Sequence, residues 1–319
     1  MEKLRIGFIG TGNFAQRAHY TSLSKIDNAE IVAICGKTNI KRRDEIADKY
    51  NIKYRYSDYK KMLDKTDIDA VYAVRRPYHG LTQIACDVLA SGKHLFIEKP
   101  PAMSVADMEI MTEAAKRSGC FTMVGFNRRF IPILIEAKHR VEERGISLIV
   151  ATFYKHELED DWPEGKQLLS NGTHAVDTLR WLANSEVEEI AVAKSQAFTK
   201  FDNSWQALIR FENGIVGVLL TNYSVGARVH TFEIHGKGIS AYIDPDESAV
   251  IYIDGKRESP TILDTKGFAG SDAFIEYYGL RAENQHFVDS ILEGRKPMPG
   301  FEDTLKTMEL VERIEKGGI

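Results

Sequence analysis

The sequence predicts a two-part α/β chain: a doubly wound parallel sheet, then an α+β domain with a mostly antiparallel sheet. Three observations carry this. From residue 1 to 125, short apolar runs alternate with segments of helical period, the pattern of a parallel sheet covered on both faces. After Phe126 the texture changes to strand-like segments in succession with few helices between them. The length of 319 residues, at roughly 150 per domain, suits two domains, here 1–125 and 126–319.

Leu4 to Ile9 is a short apolar run, read as a buried strand, and a helix follows from Asn13 to near Lys25. Ile31 to Cys35 is the next strand and Ile40 to Tyr50 the next helix, with Ile46 and Tyr50 four apart. A short strand lies near Tyr54, a longer one over Ile68 to Val74. Leu81 to Ala90 is amphipathic and stops at Ser91-Gly92; His94 to Ile97 is a strand. The Ser104–Ser118 helix has Ser104 as cap with Asp107 three on, and Phe121 to Val124 closes the first part. In the second part, helices are expected over Ile131 to Arg144 and Thr173 to Leu182. Strands are expected over Ile146–Tyr154, Val187–Ala197, Trp205–Phe211, Ile215–Tyr223, His230–His235, Ala241–Ile243 and Val250–Ile253. Asn213-Gly214 and Asp254-Gly255 read as turns. Helices over Asp272–Leu292 and Glu302–Lys316 finish the chain.

Composition narrows the function classes. The hydrophobic fraction of 43% excludes a disordered chain. Forty-two basic against 46 acidic residues, net charge −4, argues against a nucleic-acid protein, which needs a concentrated basic face. No run of 18 apolar residues predicts a membrane span, and the N-terminal apolar run is too short for a signal peptide. Three cysteines without CxxC spacing (Cys35, Cys86 and Cys120) argue against a disulfide framework and against zinc. The expectation is a cytoplasmic protein without a metal.

Gly10-Thr11-Gly12-Asn13-Phe14-Ala15 follows the first strand and opens a helix, the context a dinucleotide fingerprint requires. Gly10 permits the tight turn, Gly12 lets the backbone approach a pyrophosphate, and Ala15 allows close helix–strand packing. The helix start supplies N–H groups and partial positive charge. At the end of the second strand an NAD enzyme usually carries a carboxylate for the ribose. This chain has Gly36-Lys37-Thr38 there, with Arg42 and Arg43 a turn on and no acid between Ile31 and Ile40. Lys37 or Arg42 could pair with a 2′-phosphate, which favours NADP over NAD.

Glu98-Lys99-Pro100-Pro101 follows the His94–Ile97 strand, at the end where such sheets bind ligands. An amine there can polarise a hydroxyl or carbonyl oxygen, and the Lys99–Pro100 bond is a candidate for the cis form. Asn171-Gly172-Thr173-His174 opens the second-part helix; His174 and Asp177, three apart, share a face. The imidazole suits a general base, and Asp177 reads as structural rather than catalytic.

These stretches together resemble the Gfo/Idh/MocA oxidoreductases: Gly10 to Ala15, Glu98-Lys99-Pro100, Gly125 to Phe130, the His174-x-x-Asp177-x-x-Arg180-Trp181-Leu182 helix and Glu302 to Lys306. The resemblance runs in order through nearly the whole chain. It implies a Rossmann domain, then a domain with a large open sheet that commonly mediates dimers or tetramers. It implies hydride transfer between a nicotinamide and a sugar, cyclitol or related hydroxy compound, with Lys99 and His174 around the reacting oxygen. The cofactor set is then Gly10, Thr11, Gly12, Asn13, Phe14, Gly36, Lys37, Thr38, Arg42, Pro77 and Glu98. The substrate set is Tyr78, His79, Asn127, Arg128, Ser170, Asn171 and Asp177. The chain departs from the family in three places. Ser170 stands where many members carry Asp four residues before the His, so Ser170 or Asn171 would have to orient His174. Arg76-Pro77-Tyr78-His79 replaces a Thr-Pro-Asn loop, and the acidic Glu159–Gly165 segment replaces a Gly-rich one. The second expectation is a cofactor-binding sensor or regulator that keeps the fold without the reaction.

Overall fold

The computed structural model describes residues 3–75, 80–158 and 166–318. The chain divides into two compact units: Met1–Phe126 with Leu280–Lys306, and Asn127–Gly279 with Thr307–Ile319.

Among the described residues of the first unit, β1 (Leu4–Ile9), β2 (Ala29–Cys35), β3 (Tyr54–Tyr56), β4 (Ala70–Ala73), β5 (His94–Glu98) and β6 (Thr122–Gly125) form one parallel sheet. Its order is β3-β2-β1-β4-β5-β6. The order reverses direction beside β1, which puts the loop after β1 at the switch point where such sheets take ligands. Phe8, Tyr72 and Phe96 face one another across β1, β4 and β5 in register. Their rings stack at centroid distances of 5.7 and 4.6 Å. Phe287, from the Leu280–Leu292 helix that returns to this unit, closes on Tyr72 and Phe96 edge-on at 5.4 and 5.6 Å. Aromatic pairs of this kind each contribute about 0.5–1.5 kcal/mol beyond area burial.

The helix expected from Asn13 is present but not uniformly α. Asn13–Ala15 and Thr21–Leu23 flank a π-turn over Gln16–Tyr20. The Thr21 and Ser22 hydroxyls donate to the carbonyls of Gln16 and Ala18, which also face the Thr21 backbone N–H. The Ser104 cap accepts from Asp107 N–H and Gly119 ends that helix at positive φ, as expected. The Lys99–Pro100 bond is cis.

In the second unit, β7 (Ile146–His156), β8 (Val187–Ser195), β9 (Ser204–Phe211), β10 (Val216–Asn222), β11 (Ser224–Gly236), β12 (Ile239–Asp244), β13 (Ser248–Ile253) and β14 (Thr261–Asp264) form one sheet. The order is β14-β13-β12-β11-β7-β10-β9-β8, antiparallel except for the β7–β10 pair. One face carries the helices Pro132–Glu142 and Thr173–Ala183 over Ile149, Ala151, Leu219, Phe232 and Ile234, all fully buried. Side chains alternating with these leave Leu208, Val229, Tyr242 and Ile262 exposed.

One expectation is corrected. The single helix over Asp272–Leu292 is two, Phe274–Tyr277 and Leu280–Leu292. Gly279 separates them with φ +76, and a Cβ there would lie 2.5 Å from the Phe130 carbonyl carbon, so the chain must turn at a residue without a side chain. The second helix belongs to the compact unit that also holds Met1–Phe126. The Tyr59–Lys65 and Thr265–Ala269 helices and β14 are further elements, too short for their periodicity to stand out. Among the described residues, no helix is long and apolar enough to cross a membrane.

Candidate active site

In the first unit the fingerprint loop leaves the C-terminal end of β1. Gly10 has φ +133, and an added Cβ would lie 1.9 Å from the Val74 carbonyl oxygen, so only glycine fits. At Gly12 an added Cβ meets nothing within 4 Å, and no side chain caps the helix that begins at Asn13. Thr11 leans on the end of β2, where a Cβ on Gly36 would meet its methyl at 2.8 Å. The loop therefore has the bare backbone, open side and uncapped helix start that a pyrophosphate needs.

Arg42 lies on the next helix, Ile40–Lys49, capped by Asn39. Its guanidinium donates to Asn13 Oδ1 and, with the Gln16 amide oriented so that its oxygen faces the arginine, to that oxygen at 2.9 and 2.8 Å. A cation from the β2 side is thus tied to the fingerprint helix through two neutral amides. Lys37 and Thr38 are exposed beside it.

Glu98 ends β5 and is 9% exposed. Its Oε2 accepts the Lys99 N–H at 3.1 Å, and its Oε1 faces His19 Nε2 at 2.9 Å. The residue expected beside nicotinamide is therefore one that holds the turn carrying Lys99. The opposite ring nitrogen of His19, Nδ1, faces Asn284 Oδ1 at 3.2 Å. His19, Glu98 and Glu283 are all buried, with ligand-type atoms within 4.8 Å of one another. His19 belongs to no motif in the sequence. Its one signal was its position, four residues beyond Ala15, on a helix already tied to the cofactor loop.

In the second unit, a 3-10 turn over Asn127–Phe130 brings three polar side chains inward. Arg128 Nη1 donates to Asn127 Oδ1 at 2.7 Å and to His174 Nε2 at 3.1 Å. A guanidinium has no acceptor, so Nε2 accepts in this contact and the neutral ring would carry its proton on Nδ1. The Arg128 guanidinium also lies 4.9 Å from the centre of the Tyr278 ring, and Asn127 Nδ2 donates to the Tyr278 carbonyl at 2.8 Å. Tyr278 has no counterpart in the sequence-based site. The structure thus gathers Asn127, Arg128 and His174 from the predicted set.

Asp177 is fully buried. Its oxygens accept from Arg129 Nε and Nη2 at 2.8 and 2.6 Å, and Thr307 Oγ1 donates to it at 3.1 Å. These contacts lock the 127–130 turn against the His174 helix. Ser170, fully buried, donates to the Gln167 carbonyl, and the Asn171 amide faces the Glu157 carboxylate at 3.3 Å. Pro77, Tyr78 and His79, with Arg76 and the Glu159–Gly165 segment, lie outside the described residues.

Sheet order and the glycine loop define a nucleotide-binding α/β unit of the Rossmann type, joined to a second unit with a buried Arg–His–Asn cluster. The chain belongs to the Gfo/Idh/MocA family. The model described as "Oxidoreductase family, NAD-binding Rossmann fold" matches residues 4–126, and the family's C-terminal domain model matches 146–241. Among curated relatives, a myo-inositol 2-dehydrogenase of Thermotoga maritima is 27% identical, covering 94% of this chain and 92% of its own. A levoglucosan dehydrogenase of Pseudarthrobacter phenanthrenivorans is 25% identical over 74% of this chain and 72% of its own. Among solved structures, a dehydrogenase from Clostridium difficile superposes with a TM-score of 0.87 at 23% identity, covering 99% of both chains.

Proposed function

We propose that this protein is an NAD(P)-dependent dehydrogenase acting on a CH–OH group of a sugar, cyclitol or related hydroxy compound. The observation that carries the reading is Gly10, held where only glycine fits, at the mouth of an uncapped helix on the switch-point strand. Gly10, Thr11, Gly12, Asn13 and Phe14 would hold the pyrophosphate. The bound nicotinamide supplies the hydride acceptor or donor. Lys99 stabilises the oxyanion that develops on the substrate, and His174 takes the hydroxyl proton on oxidation. For Nε2 to act as base, the substrate hydroxyl replaces Arg128 as its partner, and Arg128 then turns toward the substrate. The inositol and levoglucosan dehydrogenases among the relatives support the substrate class.

Arg42, tied only through amides to Asn13 and Gln16, supports NADP as the preferred cofactor, with Lys37 beside it. The exposed apolar residues on the open face of the second sheet support a homodimer or homotetramer formed through that face. Three free cysteines support a reducing, cytoplasmic setting. A second reading, a nucleotide-binding sensor or regulator, is favoured by one feature: the base lone pair of His174 is engaged by Arg128.

Titration with NAD+ and NADP+, followed by a panel of sugars and cyclitols monitored at the reduced-nicotinamide band, separates the two. Turnover with at least one polyol supports the enzyme. Cofactor binding with silence across the panel supports the sensor, and failure to bind either nucleotide removes both.

A further inference from the structure

His19 and Tyr20 are sequence neighbours on the π-turn, and both are fully buried. Each grips a different loop of the first unit. Tyr20 OH donates to the Gly10 carbonyl at 3.0 Å, while its ring stacks on Phe8 at 4.0 Å. His19 reaches Glu98, whose other oxygen holds the Lys99 N–H. One helical turn therefore ties the glycine loop after β1 to the lysine turn after β5, across the intervening strand β4.

The protons in this contact can be assigned from the partners. Asn284 Nδ2 donates to the Leu280 carbonyl at 2.7 Å, which leaves its Oδ1 facing His19. His19 Nδ1 must then be the donor, and a proton lies on the axis between Nε2 and Glu98 Oε1. Edge contacts with Phe96 at 5.1 Å and Phe14 at 5.8 Å hold the ring in plane. With a second buried carboxylate, that of Glu283, within 4.8 Å, an unmatched Glu98 is costly, so the histidine is what allows Glu98 to sit there and grip the turn.

We infer that His19 is a positioning residue: through Glu98 it sets the placement of Lys99 relative to the cofactor loop. This rests on the reaction proposed above. It predicts that loss of His19 damages turnover far more than cofactor binding, because Gly10 keeps its own tie through Tyr20.

The test uses His19→Gln, Glu98→Gln and the double variant in the full chain. With whichever panel polyol wild type oxidises, kcat should fall by about 100-fold in His19→Gln, the scale of an ångström's misplacement. The Kd for NAD+ should stay within about threefold, and the double variant should be no worse than the poorer single one, as for two residues acting as a unit. Unchanged kcat in a folded His19→Gln, or additive losses, would overturn the inference. So would a metal ion found by elemental analysis in wild type and lost in the variant. If His19→Gln does not fold, the Glu98→Gln split between kcat and Kd decides. A readout independent of turnover is the low-field ring N–H resonance of His19 in 15N-histidine-labelled protein without cofactor. It should be present in wild type, absent from His19→Gln and moved upfield in Glu98→Gln, where Nδ1–H keeps Asn284 but Nε2 loses its carboxylate partner; its absence from wild type sinks the brace even if the enzyme is active. A wild type inactive on every polyol but showing that resonance would instead fault the proposed reaction alone.

Discussion

In the first unit the carboxylate beside Lys99, that of Glu98, accepts the Lys99 N–H and meets one histidine; in the second, the carboxylate on the His174 helix accepts from two nitrogens of an arginine. The first arrangement sits at the end of a strand, and its acid is the immediate neighbour of the proposed catalytic lysine. The second is assembled from residues 129, 177 and 307 and lies three residues from the proposed catalytic histidine. A positioning pair adjoining a reactive group should register in rate, whereas a deep scaffold pair should register in stability. The difference separates two uses of buried charge that look alike in a contact map.

The sharpest contrast is between the two proposed reacting groups. Lys99→Ala should lower kcat/KM by on the order of 10³-fold, and His174→Asn by about 100-fold, each with cofactor affinity nearly intact. Steady-state kinetics with a parallel NAD(P)H fluorescence titration check this; unchanged turnover in either variant removes that residue from the chemistry. Next comes Asp177→Ala. It strips the partner from a buried guanidinium and should cost about 3–5 kcal/mol in urea unfolding. A loss below about 1 kcal/mol would show that the pair is not the scaffold argued here. Smaller again is Arg42→Gln, expected to weaken NADP+ by about tenfold, the scale of one charge-assisted contact, and NAD+ by less. Equal loss for both would mean that Arg42 serves the helix rather than the 2′-phosphate.

The smallest expected effect is a pH dependence. Burial lowers the titration of the His94 imidazole below its ordinary value of 6.5, with Lys93 adding to it and Asp69 opposing. Its Nδ1 accepts the Phe121 N–H at 2.9 Å and must be unprotonated to do so. The unfolded chain therefore takes up a proton more readily than the folded one. The contribution is complete above pH 6.5 and declines as pH falls through the interval between 6.5 and the lower folded value. Unfolding midpoints across that interval should show a shallower slope in His94→Gln; an unchanged slope assigns the dependence elsewhere.

Much of the first unit was legible because its signals are local. A strand, a glycine turn and a helix start occupy consecutive residues, so Gly10 to Ala15 announces both its conformation and its chemistry. Glu98-Lys99-Pro100 was legible as a turn at a strand end, but the partner that explains Glu98 was not. His19 is one helical residue among many until the π-turn directs it at β5, and Asn284 arrives from 265 positions away. In the second unit the His174 helix was legible by the three-residue spacing of His174 and Asp177 on one face. Arg128's hold on Nε2 and the stacking of Tyr278 were not, since residues 128, 174 and 278 carry no mutual pattern.

By itself, then, the amino-acid order determined the alternation of elements, the glycine loop and the choice of Lys99 and His174 as the proposed reacting groups. These depend on backbone conformation and on chemistry intrinsic to a side chain, both written within a few residues. Only the tertiary structure decided which acid is scaffold and which grips a turn, where the Asp272–Leu292 segment breaks, and which group meets the imidazole. Those outcomes depend on the burial of charge among distant neighbours, where the cost of an unmatched group, rather than any local preference, selects the partner.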